Sequence, residues 1–324
     1  MAKYIGGDLG GTNVRAGIVD TETGEVTNLI SVPTIAREGQ DAVIRRMADL
    51  FLNVIKASGL KVSDIGGIGI GAPGQIDIEN GRTVFLPNLY GNWVNAPVAD
   101  KIKEYTGLST YLLNDVRAIT FGEWKFGAGR GARTMAVYAI GTGIGGGMVI
   151  DNRLHLGLDG TAGEVGHSMI DYNGPLCGCG NHGCLEMYAS SPAIAAAGLK
   201  AVVQGWTTKI GELAGYDLNK ITAKTVSTAA LQGDAVAMQI YEQIGFYLGI
   251  SISNTICTIA PDRIVIGGGG AQAGDLLLNP IRKTVKERVK LADPDKVTIV
   301  PAELGDNGGV IGCALWAYQQ KEGI

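Results

Sequence analysis

Three groups of residues have the types and spacing to do chemistry. His167, Cys177, Cys179 and Cys184 give the pattern H-x9-C-x-C-x4-C. Three thiols and an imidazole are the donor set of a closed tetrahedral Zn²⁺ site, which keeps no position open for catalysis. The alternative is reduced thiols without an ion. His182 lies close to the cysteines in sequence and competes for the fourth place. Asn114-Asp115 ends the apolar run Thr110–Leu113 and precedes a helical pattern. A carboxylate beyond the carboxyl end of such a strand faces the crevice where ligands gather. The competing reading of Asp115 is a helix N-cap. Two glycine-rich tips, Gly10-Gly11-Thr12-Asn13 and Gly143-Ile144-Gly145-Gly146, offer consecutive backbone N–H groups that bind anions without a lysine. Ordinary tight turns are the alternative. Asp8, where strand meets loop, suits a water-mediated Mg²⁺ contact or a turn cap. Gly267–Gly270 follows an apolar strand; it either lets a flat base lie on the backbone or simply leads to a helix.

Two tempting motifs fail. GTGIGG at 141–146 satisfies G-x-G-x-x-G, with Glu164 downstream, but the dinucleotide reading needs the glycines to open a helix. Here Gly147-Met148-Val149-Ile150 continues as a strand. No G-x-x-x-x-G-K-[ST] occurs, so there is no P-loop.

The elements that must position these residues follow from periodicity. Residues 3–20 read as a strand, a glycine tip and a second strand in which Val14, Ala16 and Ile18 alternate with Arg15 and Gly17. Residues 136–151 repeat the pattern, and the closing aspartates Asp20 and Asp151 lie 131 residues apart. That distance is too long for a solenoid and predicts two similar α/β domains. Helices are expected over 41–58, 97–106, 117–126, 192–204, 225–259, 308–320 and from Pro280 to Leu291. Further strands are expected over 65–71, 110–113, 263–266 and 297–300. The predicted division is a small domain, 1–115 with the C-terminal helix 308–324, and a large domain, 116–307. Cys257 and Cys313 lie in apolar helical stretches and are expected in the core. Trp93 reads as lid or core.

Composition narrows the function classes. The chain has 324 residues, more than one hydrophobic core usually serves. With 27 Lys+Arg against 31 Asp+Glu and no basic cluster, it lacks the footprint of a nucleic-acid binder. The uncharged stretches 134–150 and 244–261 are broken by glycine or by Ser, Asn and Thr, so no membrane span is expected. The N-terminus lacks the apolar core of a signal peptide, which predicts a cytoplasmic protein with reduced thiols. Glycine is the outlier, at 50 residues, and implies many tight turns or close backbone approaches.

DLGGTN (8–13), GAPG (71–74), LND (113–115), GTGIGGG (141–147), GEVGH (163–167), CxCxxxxCLE (177–186) and IGGGG (266–270) together resemble the ROK family of repressors and sugar kinases. The resemblance implies two RNase-H-like domains of the actin and hexokinase type, hinged around a cleft. It implies ATP-dependent phosphorylation of the 6-hydroxyl of a hexose, glucose first, with N-acetylglucosamine, N-acetylmannosamine, fructose and mannose as alternatives. Asp115 is then the catalytic base and Asn114 a holder of sugar hydroxyls. Glu164, His167 and Glu186 reach the sugar as well, with Gly74 and Asn88 as softer candidates. ATP and Mg²⁺ fall to Asp8, Gly10, Gly11, Thr12, Asn13, Arg15, Thr142, Gly143, Gly267, Gly268 and Gly269. The family pattern gives the fourth structural zinc position to His167. A homo-oligomer, dimer or tetramer, is expected. Ser191 stands where the family commonly has glycine, and Arg15 where lysine is frequent. A sugar-responsive repressor is disfavoured, because the first strand begins near Lys3 and leaves no room ahead of it for a helix-turn-helix. A zinc-stabilised scaffold is disfavoured by the complete catalytic set.

Overall fold

The computed structural model describes residues 2–86 and 89–323. The chain divides into two compact units: Met1–Gly131 with Leu154–Ala162 and Glu303–Ile324, and Ala132–Arg153 with Gly163–Ala302.

The first unit contains β1 (Lys3–Leu9), β2 (Asn13–Asp20), β3 (Val26–Pro33), β4 (Ile65–Ala72), the small pair β5 (Gln75–Asp77) and β6 (Arg82–Phe85), and β7 (Thr110–Asn114). Its sheet runs β3-β2-β1-β4-β7, with β1 antiparallel to β2 and parallel to β4. Helix α1 (Gln40–Ser58) buries Val43, Ile44, Met47, Leu50, Phe51, Val54 and Ile55. Val43, Ile44, Val54 and Ile55 are β-branched and mediocre helix formers. Burying side chains of this size is worth ~1.5–3 kcal/mol each, which outweighs propensity losses of a few tenths. Helices α2 (Val98–Thr106) and α3 (Asp115–Phe126) follow.

The C-terminal helix, Gly308–Glu322, lies directly on this sheet. A Cβ on Gly6 of β1 would sit 1.8 Å from the Val310 carbonyl oxygen, and one on Gly69 of β4 1.8 Å from that of Cys313. Much of the glycine in the opening strands therefore makes room for a helix rather than for a ligand. The same helix captures α3: a Cβ on Gly312 would come 1.7 Å from the Ala118 oxygen. Phe121 and Ala118 share a core with Cys313, Leu315 and Trp316. The first unit accordingly keeps α3 and runs to Gly131, whereas the sequence reading ends the small domain at residue 115.

The second unit repeats the sheet plan. Strands β8 (Met135–Ile140), β9 (Ile144–Ile150), β10 (Arg153–His155), β11 (Arg263–Gly267) and β12 (Thr298–Pro301) run in the order β10-β9-β8-β11-β12. The pair β8–β9 is antiparallel, and β8, β11 and β12 are parallel. The expected repeat is thus a hairpin leading into a parallel strand, present in both sheets. Its helices are α4 (Glu186–Ala189), α5 (Ser191–Val203), α6 (Lys209–Leu213), α7 (Ala223–Leu231), α8 (Ala235–Ile259) and α9 (Asp275–Arg288). Among the described residues, no helix is long and apolar enough to cross a membrane.

Two expectations need correction, and one open choice is settled. The helix placed at Pro280–Leu291 begins at Asp275, and Pro280 lies inside it. Buried Leu277 and Leu278 extend its apolar face upstream, and Pro280 packs where a Cβ on Gly245 of α8 would be only 2.5 Å away. Cys257 is exposed rather than core, because it follows buried Ile256 by one residue and turns to the other side of α8. Trp93 belongs to the core, 2% exposed, its indole N–H on the Tyr90 carbonyl.

Candidate functional site

In the first unit the candidate residues gather where β1, β4 and β7 end. Asn114 closes β7 and caps α3: its Oδ1 accepts from the N–H of Val116 at 3.0 Å and of Arg117 at 3.2 Å. The capping role weighed for Asp115 therefore falls mainly to its neighbour. Asp115 is the first residue of α3, and its Oδ1 accepts from the Val116 N–H at 2.8 Å. The positive end of the helix dipole favours a carboxylate there. The Asn114 amide donates to the Gly74 carbonyl at 3.0 Å, so these two candidates are joined. Gly74 is left-handed, at φ 83°, a backbone that a side chain would strain. Asn88 lies outside the described residues.

Asp8 pairs in register with Arg15 on β2 and with Gly71 on β4. A Cβ on Gly71 would be 3.5 Å from Asp115 Cα, and one on Gly309 3.5 Å from Asp8 Cγ. Burial pushes the Asp8 carboxyl up to about 6, and the Asp115 charge adds to that; Arg15 opposes it. Arg15 is also held by Asp306, at 3.2 Å. A buried carboxyl beside a second carboxylate is a fitting arrangement for a divalent cation.

The two hairpin tips differ from the anion nests drawn from sequence. None of Gly10, Gly11, Gly143, Gly145 and Gly146 is left-handed, so neither tip has the alternating backbone of a nest. At the first tip the Gly10 N–H closes the turn on the Asn13 carbonyl, leaving Gly11, Thr12 and Asn13 exposed. Buried Thr34 braces it, donating from Oγ1 to the Gly10 oxygen at 2.6 Å and from N to the Thr12 oxygen at 2.8 Å. At the second tip the Ile144 N–H is taken by Glu186 Oε2 at 2.9 Å, and that oxygen lies where a Cβ on Gly143 would meet it at 2.3 Å. Sequence reading assigned Gly143 and Glu186 to different ligands; the fold puts them in contact. Thr142 lies between Gly141 and Gly143, which close the turn at 2.8 Å. Gly268 is left-handed and presses on the Ile140 carbonyl, so the strand-to-helix connection itself requires it. Gly269 has open space around its Cβ position, and Gly267 meets only Ala302.

The Cys/His cluster forms within the second unit. One ligand atom from each of His167, Cys177, Cys179 and Cys184 lies within 4.8 Å of the others. Cys177 Sγ is 3.6 Å from His167 Nδ1, and Cys179 Sγ is 3.7 Å from Cys184 Sγ. A tetrahedron with metal–ligand bonds of ~2.0–2.3 Å has edges of ~3.3–3.8 Å, so both distances suit one ion. His182, the rival, turns its Nδ1 to the Gly174 carbonyl at 3.3 Å. Burial, with the neighbouring thiols, pushes Cys184 up to about 12. A bound cation removes that penalty by taking thiolates as ligands. Glu164 caps the short turn Val165–His167, which lies so close to β9 that a Cβ on Gly166 would be 1.9 Å from the Ile144 oxygen. Glu186 opens α4 two residues after Cys184.

Sequence reasoning passed over Thr34 and Arg117. Thr34 gives no local signal, because the tip it braces lies over twenty residues away. Arg117 is 2% exposed and lies on the buried side of α3 with Ala118, Thr120 and Phe121, a charge on an apolar face that the sequence does display.

The family model for ROK matches residues 4–320. A glucokinase of Thermotoga maritima is 36% identical over 312 residues, covering 96% of each chain. A xylose repressor of Caldicellulosiruptor bescii is 31% identical over 313 residues, 97% of this chain and 77% of the repressor. The crystal structure of a ROK family glucokinase from Streptomyces griseus in complex with glucose and AMPPNP superposes with a TM-score of 0.83 at 31% identity, covering 98% of this chain and 100% of that one. Sequence motifs, doubled hairpin sheets and a match over nearly the whole length converge: the chain belongs to the ROK family.

Proposed function

We propose that this protein is an ATP-dependent hexose kinase that phosphorylates the 6-hydroxyl of glucose. The observation that carries the reading is the placement of Asp115 at the N-terminus of α3, with Asn114 supplying the cap beside it. A carboxylate there can accept the proton of a sugar hydroxyl as the phosphoryl group arrives, because attack by a neutral alcohol builds positive charge on its oxygen. The hydroxyl proton passes to Asp115, the oxygen bonds to the γ-phosphorus, and ADP leaves with the electron pair of the broken bond. Asp8 would hold a Mg²⁺ ion, which would supply neutralisation of charge on the triphosphate. Gly11, Thr12, Asn13 and Arg15 meet phosphate, with Thr142 and Gly143, while the open Gly269 backbone, with Gly267 and Gly268 before it, accommodates the base. Asn114, Glu164, His167 and Glu186 read the sugar, with Gly74 as part of the wall.

His167, Cys177, Cys179 and Cys184 would hold a structural Zn²⁺, which would stiffen the segment leading into Glu186. With Nδ1 turned to the Cys177 thiol, the other His167 nitrogen would be left to meet a hydroxyl. Similarity to the T. maritima and S. griseus glucokinases supports glucose over the other hexoses. The match to a xylose repressor sustains a second reading, a sugar-responsive regulator. A coupled ADP-release assay over glucose, mannose, fructose, N-acetylglucosamine and N-acetylmannosamine separates them. Glucose should give the highest kcat/KM; sugar binding without ADP release from any of them would favour the regulator.

A further inference from the structure

We infer that Arg117 is a positioning residue that fixes which end of the Asn114 amide faces the substrate, so that Asn114 reads the sugar only as a hydrogen-bond donor. The inference rests on the hexose-kinase reading and concerns the same site. Arg117 is buried, and both arms of its guanidinium are engaged: Nη1 donates to Asn114 Oδ1 at 2.9 Å, and Nη2 donates to the Ala162 carbonyl at 2.8 Å. With the backbone N–H groups of Val116 and Arg117, three donors from two residues point at that single oxygen. An amide oxygen has two lone pairs, so Oδ1 has nothing left for a sugar. On the other side Nδ2 spends one hydrogen on the Gly74 carbonyl and retains one. The opposite flip would set an NH₂ group against three donors.

The guanidinium contributes most to this choice. Charge-assisted hydrogen bonds are roughly twice as strong as neutral ones, and the planar fork is anchored at its far end on Ala162. Ala162 precedes Gly163 and Glu164 in the chain, so the same anchor holds a carbonyl two residues before a second sugar-reading residue. The hydroxyl that meets Asn114 must therefore accept, and a sugar lacking it strands a buried N–H.

The test compares kcat/KM for glucose and its monodeoxy analogues in the wild type, Arg117→Met, Arg117→Lys, Asn114→Ala and the Arg117→Met/Asn114→Ala double variant. A site built around a substrate hydroxyl rejects the analogue without it strongly, so the wild type should lose on the order of 10²-fold or more with one analogue. In Arg117→Met that loss should shrink below about tenfold, with glucose KM raised and ATP KM nearly unchanged. The double variant should be no worse than Asn114→Ala, because the two residues act as one unit. Arg117→Lys retains one donor arm at most and should fall between; it carries the comparison if the Met variant does not fold. Full discrimination in a folded position-117 variant, or additive effects in the double variant, would overturn the inference. A wild type that phosphorylates glucose yet tolerates every monodeoxy analogue also overturns it, whereas one that phosphorylates no hexose defeats the underlying reading instead.

Discussion

The hairpins β1–β2 and β8–β9 have the same place in their sheets and similar glycine tips, yet their tips are engaged differently. The first is braced by a neutral hydroxyl, Thr34, and its tip residues are exposed. The second has its tip bound by a carboxylate, Glu186, which takes the Ile144 N–H. A free tip can meet an anion; a tip already holding a carboxylate repels one. The lesson is that a repeated strand–glycine–strand pattern specifies a fold unit, while the residue packed on its tip decides what the unit binds. We accordingly place the greater share of phosphate contact on the first hairpin and tie the second to the sugar through Glu186.

The largest effect expected from disturbing this contrast comes from the cluster behind Glu186. Cys184→Ser, or removal of metal by a chelator, should abolish stoichiometric zinc and raise glucose KM by on the order of 10²-fold, since structural zinc contributes ~10–16 kcal/mol of apparent binding energy to its loop. Nucleotide affinity should stay within about threefold. Elemental analysis with separate titrations of glucose and a non-hydrolysable ATP analogue checks both halves; unaltered glucose affinity in the metal-free protein would remove the cluster from the sugar site.

Smaller changes at the tips should separate the ligands. Glu186→Gln exchanges a charged acceptor for a neutral one, and bonds to charged groups exceed neutral ones by ~1–1.5 kcal/mol, so glucose KM should rise about tenfold. Thr34→Val removes one neutral hydrogen bond and should raise ATP KM a few-fold with glucose KM unmoved. If both substitutions shifted the same ligand, the distinction between the hairpins would collapse.

A further effect is on stability. The Asp8 carboxyl, raised to about 6 in the fold from an ordinary 3.8, favours the folded state most when protonated. Its contribution is full below pH 4 and fades as pH rises through 6. Asp8→Asn stays neutral throughout, so its stability advantage over the wild type should grow from pH 4 to 7, reaching at most about 3 kcal/mol. Thermal melts in the absence of divalent ions measure it, and a difference independent of pH would show that Asp8 is not held in this way.

The doubled sheet was legible because strand periodicity and glycine punctuation repeat locally, and the cluster of His167 with the three cysteines because these residue types lie close together in sequence among turn-forming glycines. Other features depend on partners distant in sequence. Strand β3 escaped notice because its alternation, VTNLISVP, is mostly exposed. Pro280 suggested a helix start, yet packing on Gly245 placed it inside. Gly6 and Gly69 belong to the contact with the C-terminal helix, over two hundred residues onward in the chain. The Glu186 contact with the second tip and the two-armed role of Arg117 likewise arise only once separate segments have folded together.

The central claim, that Asp115 takes the hydroxyl proton during transfer to glucose, is tested most directly by Asp115→Asn. The exchange conserves shape and the helix start but removes the base. Steady-state ADP release at saturating glucose should fall by ~10²–10⁴-fold, while calorimetric glucose affinity changes no more than about threefold. A loss of turnover below about tenfold, with glucose bound normally, would contradict the assignment.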